Sequence, residues 1–181
     1  MERWLSLSKK IDHANDQIGQ WMYWLTLASV VVAAFNAIVR YLDKFTGWGL
    51  SSNTYIELQW YLFGIFFLMS AAYTLRHNEH VRVDVLYGRL TKKGQAWIDT
   101  LGCVLFLIPF CVLMIVVSVP AVMNSWSVLE TSPDPGGLPR YPIKTVIPLA
   151  FVLLLLQGIS QLIKSIAVLK GSRQLEDRTD G

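Results

Sequence analysis

Charge is scarce in this sequence. Of 181 residues, 16% are Asp, Glu, Lys or Arg and 53% are hydrophobic, whereas a soluble domain carries about 25% charged residues. The shortage is sharper in its placement. The apolar blocks at 21–39, 58–75, 101–123 and 146–163 hold no Asp, Glu, Lys, Arg or His at their centres. Intramembrane proton relays and ion pathways are built from such groups, so the sequence offers none of their usual components. All three histidines, His13, His77 and His80, fall outside the blocks, which disfavours a membrane haem needing axial ligands inside a bundle. The two cysteines, Cys103 and Cys111, share one block. On a helix they stand about 12 Å apart along the axis, beyond the reach of a disulfide, and read as small packing residues. There is no glycine-rich phosphate loop, zinc spacing or RNA-binding aromatic motif.

What is present is the four blocks themselves. Each is long enough to cross about 30 Å of hydrocarbon as a helix, and in lipid a helix satisfies every backbone amide internally. The sequence therefore predicts an all-α integral membrane protein with spans at about 21–40, 58–75, 98–123 and 143–165. Residues 1–20 form a cytoplasmic interfacial segment, 21–169 the four-helix transmembrane domain, and 170–181 a cytoplasmic tail. The first block is longer than a signal-peptide core and is followed by Arg40, Tyr41 and Leu42 rather than a small-residue cleavage site, so it reads as a retained helix.

Basic residues set the orientation. The N-terminal segment (Arg3, Lys9, Lys10), the segment after the second span (Arg76, Arg82, Arg89, Lys92, Lys93) and the tail (Lys164, Lys170, Arg173, Arg178) hold 12 of the 16. In a four-span topology these lie on one side, which is then the cytoplasm, with both chain ends inside. This accounts for the pI near 8.9 without nucleic acid. Trp21, Trp24, Trp60, Trp97 and Trp126 all fall at span ends, the headgroup level that indole favours. Two stripes, Trp4-Leu7-Ile11-Ile18 and Val81-Val85-Leu86-Leu90, predict amphipathic helices on the cytoplasmic surface. The Pro- and Gly-rich stretch 131–142 reads as a structured turn outside the membrane.

Few polar side chains remain to be assigned. Asn36, Ser70, Gln157 and Ser160 lie within spans and read as interhelical hydrogen-bond partners. Asp99 lies near the start of the third span, where a carboxylate favours the helix dipole, so it reads as a structural cap. Arg40 ends the first span and Glu57 begins the second, so a hairpin would bring them to one depth, where an ion pair is expected. The mixed-charge run 76–84 directly follows the second span. It is suited to binding anionic headgroups, bracing the bundle end or touching a partner.

These features together resemble the small membrane subunit of tripartite ATP-independent periplasmic (TRAP) transporters, the DctQ-like family. The resemblance covers about residues 10 to 170. It rests on Arg40, Glu57, Trp60 within the second span, the stretch from Gly64 to Ala72, and above all Arg76-x3-His80-Val81-Arg82-Val83-Asp84, together with the length and the four-helix layout. It implies a multi-pass subunit of a bacterial inner membrane, without catalysis or cofactor. Such a subunit scaffolds a large elevator-type permease subunit in about one-to-one amount. The complex carries out sodium-driven uptake of an organic acid delivered by a periplasmic binding protein. That protein would be met through the outer loops 41–56 and 123–141, and membrane lipids would cover the remaining faces. Arg40, Glu57, Trp60, Arg76, His80, Arg82, Asp84 and Asp99 carry over as structural or contact positions, not as active residues. The alternatives are the membrane anchor of a respiratory enzyme, which would want histidines or quinone-site residues at membrane depth, and a small homo-oligomeric transporter, which would want a carboxylate at a helix centre.

Overall fold

In the computed structural model, residues 2–77, 87–88 and 90–171 are described. They form α1 (Glu2–Thr46), α2 (Asn53–Arg76), α3 (Lys92–Gly102), a π-helical turn (Cys103–Leu107), α4 (Ile108–Ser127) and α5 (Arg140–Leu169). The third span is α3, the π turn and α4 in line. Among the described residues, four helices are long and apolar enough to cross a membrane. They alternate in direction. One end of the bundle gathers the start of α1, the end of α2, the start of α3 and the end of α5 and is here the tail end. The other gathers segments 47–52 and 128–139 and is the loop end.

Local chemistry sets the boundaries. Gly47 takes φ +65 and its N–H returns to the Asp43 carbonyl at 2.8 Å, a glycine C-cap that stops α1. The Asp43 carboxylate then accepts from Leu50 N at 3.0 Å and Ser51 N at 3.2 Å, folding the chain back toward α2. Ser52 and Thr91 cap α2 and α3 by accepting from Thr54 N and Gly94 N, as N-cap hydroxyls do. The π turn ends at Leu107, two residues before Pro109. A proline lacks the N–H for the regular ladder and crowds the preceding turn, and one widened turn accommodates this.

α5 is the hub. It packs on α1, α2, α3 and α4. Its buried positions are Ala150, Gln157, Gly158, Ser160, Ser165 and Ala167, small or hydrogen-bonding residues that let helices approach closely in a membrane. Large apolar side chains face outward instead, Phe63, Phe67, Phe106 and Val116 among them. That is the expected distribution when the surrounding solvent is itself apolar.

The N-terminal segment differs from the expected separate interfacial helix. There is no break near residue 20: residues 2–46 form one helix, about 67 Å long. The reason lies on its polar face. Ser8, Asp12, Asn15 and Gly19 are buried, whereas Trp4 and Leu7 of the predicted apolar stripe are exposed. Hydrogen bonds to α5, rather than the apolar stripe, hold this segment in line with the span. Most of the second predicted stripe (Val81, Val85, Leu86) lies outside the described residues.

Candidate functional site

At the tail end, α1 and α5 share a buried polar network. Asp12, Asn15 and Ser8 follow the helical spacing of one α1 face, and Gln157, Ser160 and Lys164 that of one α5 face. The Asp12 carboxylate accepts from Ser160 Oγ at 2.7 Å and Gln157 Nε2 at 3.1 Å, and it pairs with Lys164 Nζ. Asn15 Nδ2 donates to Gln157 Oε1 at 2.6 Å. The hydroxyls of Ser8 and Ser160 lie 2.7 Å apart. Both ends of the Gln157 amide are thus used, and Gln157 is fully buried. A buried charge is tolerated only when paired and hydrogen-bonded, and Asp12 is both.

α2 joins this end through Arg76. Its guanidinium donates to the Asp12 backbone carbonyl and pairs with the Asp16 carboxylate, and His77 Nε2 lies 3.2 Å from the other Asp16 oxygen. One turn further in, Gly19 faces the ring of Tyr73. A Cβ at Gly19 would fall 2.1 Å from Tyr73 Cδ2, so only glycine allows α1 and α2 to approach this closely.

The loop end is organised by a second carboxylate. Asn53, Thr54, Glu57 and Tyr61 line one side of the first turns of α2. Asn53 Nδ2 donates to Pro135 O at 3.1 Å, Thr54 Oγ1 to Gly136 O, and Tyr61 OH to Pro139 O at 3.2 Å. Glu57 accepts from Ser132 Oγ and Leu138 N. Gly137 sits so close that a Cβ would fall 2.8 Å from Glu57 Oε2. The loop itself closes through a bridge between Thr131 and Pro139 and a bond from Ser132 N to Leu138 O at 3.2 Å. Glu130 then ties it to the neighbouring helices, accepting from Ser125 Oγ at 2.6 Å and pairing with Lys144. Hydrogen bonds from Ser132 and Leu138 hold the Glu57 carboxyl below its ordinary range. Those from Lys144 and Ser125 do the same for Glu130.

The expected Arg40–Glu57 pair is corrected by this geometry. Glu57 is 2% exposed and turned toward the 131–139 loop, whose donors occupy it. Arg40 is exposed on α1, with no ion pair to Glu57 among the described residues. Asp99 is corrected as well. Thr91 caps α3, and Asp99, in the second turn, accepts from Tyr87 OH at 2.8 Å. Trp60 is 43% exposed and borders a groove between α2 and α5. Arg76 is a brace within the chain. His80, Arg82 and Asp84 lie outside the described residues.

Of the polar span residues, Gln157 and Ser160 do make interhelical bonds, while among the described residues the Ser70 hydroxyl donates within its own helix, to Phe67 O at 3.3 Å. Asn36 is buried with Oδ1 unpartnered among the described residues. Sequence reasoning passed over Asp12, Asn15, Lys164, Glu130 and Ser132. The signal for the first three was in the sequence, as two polar stripes at spacings of three and four on helices otherwise apolar. Among the described residues, no cluster of His, Cys, Asp and Glu could hold a metal ion, and Cys103 and Cys111 are both buried.

The chain matches the family model described as tripartite ATP-independent periplasmic transporters, DctQ component, over residues 29–168. No curated protein and no solved structure matches it. The matched span covers the loop-end carboxylates and all of α2, α3 and α4, and the chain belongs to this family, whose members are membrane components working with other components of the transporter.

Proposed function

We propose that this DctQ-family chain is the non-catalytic small subunit of a TRAP transporter, holding a large elevator-type permease subunit in place in a bacterial inner membrane. In this reading the tail end faces the cytoplasm and the 131–139 loop faces the periplasm, a reading supported by the excess of basic residues in the segments at the tail end. The complex takes up an organic acid, driven by a sodium gradient and delivered by a periplasmic binding protein. The segments 41–56 and 123–141 are the surfaces available to that protein.

One observation carries the scaffold reading. The buried polar groups are largely consumed in bonds within the chain, helix to helix around Asp12 and helix to loop around Glu57. A permeation path needs polar groups that exchange partners along a route. A scaffold needs a rigid interior and apolar outer faces, and the outward Phe63, Phe67, Phe106 and Val116 supply such faces.

The test is a tagged pull-down of the full chain from native membranes. The expected result is a large multi-span permease in about one-to-one amount. A clean homo-oligomer, or an enzyme with a coloured cofactor, would overturn the reading.

A further inference from the structure

We infer that the cavity at the tail end, between the end of α2, α3 and the last turns of α5, binds an anionic phosphate group. This goes beyond the scaffold reading and does not depend on it. The cavity has a volume of about 380 Å³, within the range of small-molecule sites. Arg76, Lys92, Gln161, Lys164 and Ser165 line it, with Asp99 beside them.

Hydrogen-bond donors are left over here. Ser165 is 5% exposed, and its hydroxyl makes no hydrogen bond among the described residues. That hydroxyl is not sealed off. Among the described residues, the unbonded side-chain polar atoms with almost no accessible surface are Asn36 Oδ1 and Arg140 Nε. Ser165 lines the cavity, so its remaining surface is reached from there. Gln161 stands one turn earlier on the same face of α5. It is half-buried and its amide likewise makes no side-chain hydrogen bond among the described residues.

Two cations hold donors in reserve. Arg76 uses Nη1 for both the Asp12 carbonyl and the Asp16 carboxylate, which leaves the Nε and Nη2 donors of its fork. Lys164 gives one N–H to Asp12, and an ammonium has others. Asp12 and Asp16 belong to α1 and do not line the cavity. They reduce the positive field without occupying these donors. Asp99 does line it, and accepts from Tyr87 OH. The lining charges are therefore Arg76, Lys92 and Lys164 against Asp99. Such a wall suits an oxyanion. A phosphate brings more acceptor oxygens than a carboxylate, enough for donors from α2 and α5 together, and an arginine fork matches it. Two sources supply the group. Trp97, on the same turns of α3, is exposed and marks the headgroup level, where an anionic phospholipid is within reach. A soluble phosphate offers the same oxygens.

The experiment uses the full chain, purified and delipidated in an uncharged detergent. Retention of phosphatidylglycerol and of phosphatidylcholine is followed by native mass spectrometry, and binding of radiolabelled inorganic phosphate by equilibrium dialysis. The unmodified chain should hold one phosphate-bearing molecule. Phosphatidylglycerol retained without inorganic phosphate assigns the lipid source, and the reverse assigns the soluble one. Gln161→Glu, which replaces a donor with a carboxylate, should weaken binding at least tenfold. Ser165→Ala should weaken it about threefold to tenfold, the scale of one hydrogen bond. Gln17→Glu places the same charge on the exposed face of α1, off the cavity, and should leave binding unchanged. Monodisperse elution of each variant establishes folding, and Ser165→Ala carries the test if Gln161→Glu aggregates. Binding of neither probe overturns the proposal, as does equal binding by the unmodified chain and both cavity variants. A hold on phosphatidylcholine as tight as on phosphatidylglycerol, with no inorganic phosphate bound, also overturns it, because the wall would then not read negative charge. So does an equal loss in Gln17→Glu, which would make the binding a diffuse charge effect.

Discussion

At the tail end, Asp12 reaches from α1 to Ser160, Gln157 and Lys164 on α5, joining helices far apart in sequence. At the loop end, Glu57 reaches from α2 to Ser132 and Leu138, both in one connecting loop. Each carboxylate is buried and each is supplied with donors. The consequences differ because the partners differ. Bonds between helices fix how spans pack, so losing them should loosen the whole bundle. Bonds between a helix and a loop fix the shape of one surface, so losing them should leave the bundle standing.

The largest effect should come from Asp12→Ala. It strands Lys164, Ser160 and Gln157 without their shared acceptor. Removing one partner of a buried ion pair costs about 3–5 kcal/mol. Because Lys164 keeps some exposure, water can take over part of the lost pairing, and we expect the lower end, about 3 kcal/mol, read as a fall in the thermal unfolding midpoint in nanodiscs. Asp12→Leu combined with Lys164→Met should recover most of the loss, since it removes both charges together. A loss of about 0.6 kcal/mol, the mean for an interhelical hydrogen bond in a membrane, would show that the network is much looser than its geometry.

Gly19→Ala should follow at about 1–3 kcal/mol, the cost of overpacking, because the new methyl group meets the Tyr73 ring rather than a movable tip. Tyr73→Leu in the same chain should restore part of it. Failure of that rescue would mean the α1–α2 contact is not set by this pair.

At the loop end, Glu57→Gln should show as faster amide hydrogen exchange in 131–139 with little change in the unfolding midpoint, since it weakens bonds to one loop only. Equal effects on loop and bundle would erase the distinction between the ends. The same site gives a pH signature. Glu57, just outside the second span, and Glu130 both titrate below their ordinary value of 4.5. Their stabilisation is full above about pH 4.5 and is lost as the pH falls through the lowered folded values. Protection from exchange in 131–139, measured relative to the intrinsic amide rate at each pH, should therefore fall only below that pH, and Glu57→Gln should flatten the profile.

The spans were legible because the bilayer imposes one constraint on all of them, a run of apolar residues of the right length, and the blocks at 58–75 and 146–163 lie within α2 and α5. The register between helices was harder to read. Arg40 and Glu57 stand at matching depths in a hairpin, but depth says nothing of rotation about the helix axis. Glu57 turned toward a loop more than seventy residues later, whose donors appear in the sequence only as serine and backbone. Asp12 was hidden for a related reason. The apolar stripe Trp4-Leu7-Ile11-Ile18 dominated the reading of the N-terminal segment, and a polar stripe beside it looked like a solvated face. In a membrane bundle that inference reverses, because the polar stripe gains most by turning inward to a matching one. The family was visible through the charged run after α2, although His80, Arg82 and Asp84 fall outside the described residues.

The smallest expected effect separates a satisfied buried amide from an unsatisfied one. Gln157 has its oxygen bonded to Asn15 and its nitrogen to Asp12, whereas Asn36, nearer the loop end on α1, leaves Oδ1 without a donor among the described residues. An amide oxygen desolvated without a partner is unfavourable, and an apolar group of similar shape in its place is nearly neutral or stabilising. Asn36→Val should therefore raise the stability of the isolated chain by up to about 1 kcal/mol, after the small helix-propensity change of a β-branched residue. If the same variant weakens assembly with the permease while stabilising the chain alone, Asn36 is reserved for a donor on the partner. If it destabilises the isolated chain by more than about 1 kcal/mol, the oxygen already has a partner such as a buried water. The loop-end half of α1 would then be tied to its surroundings by the same kind of bond that ties the tail end.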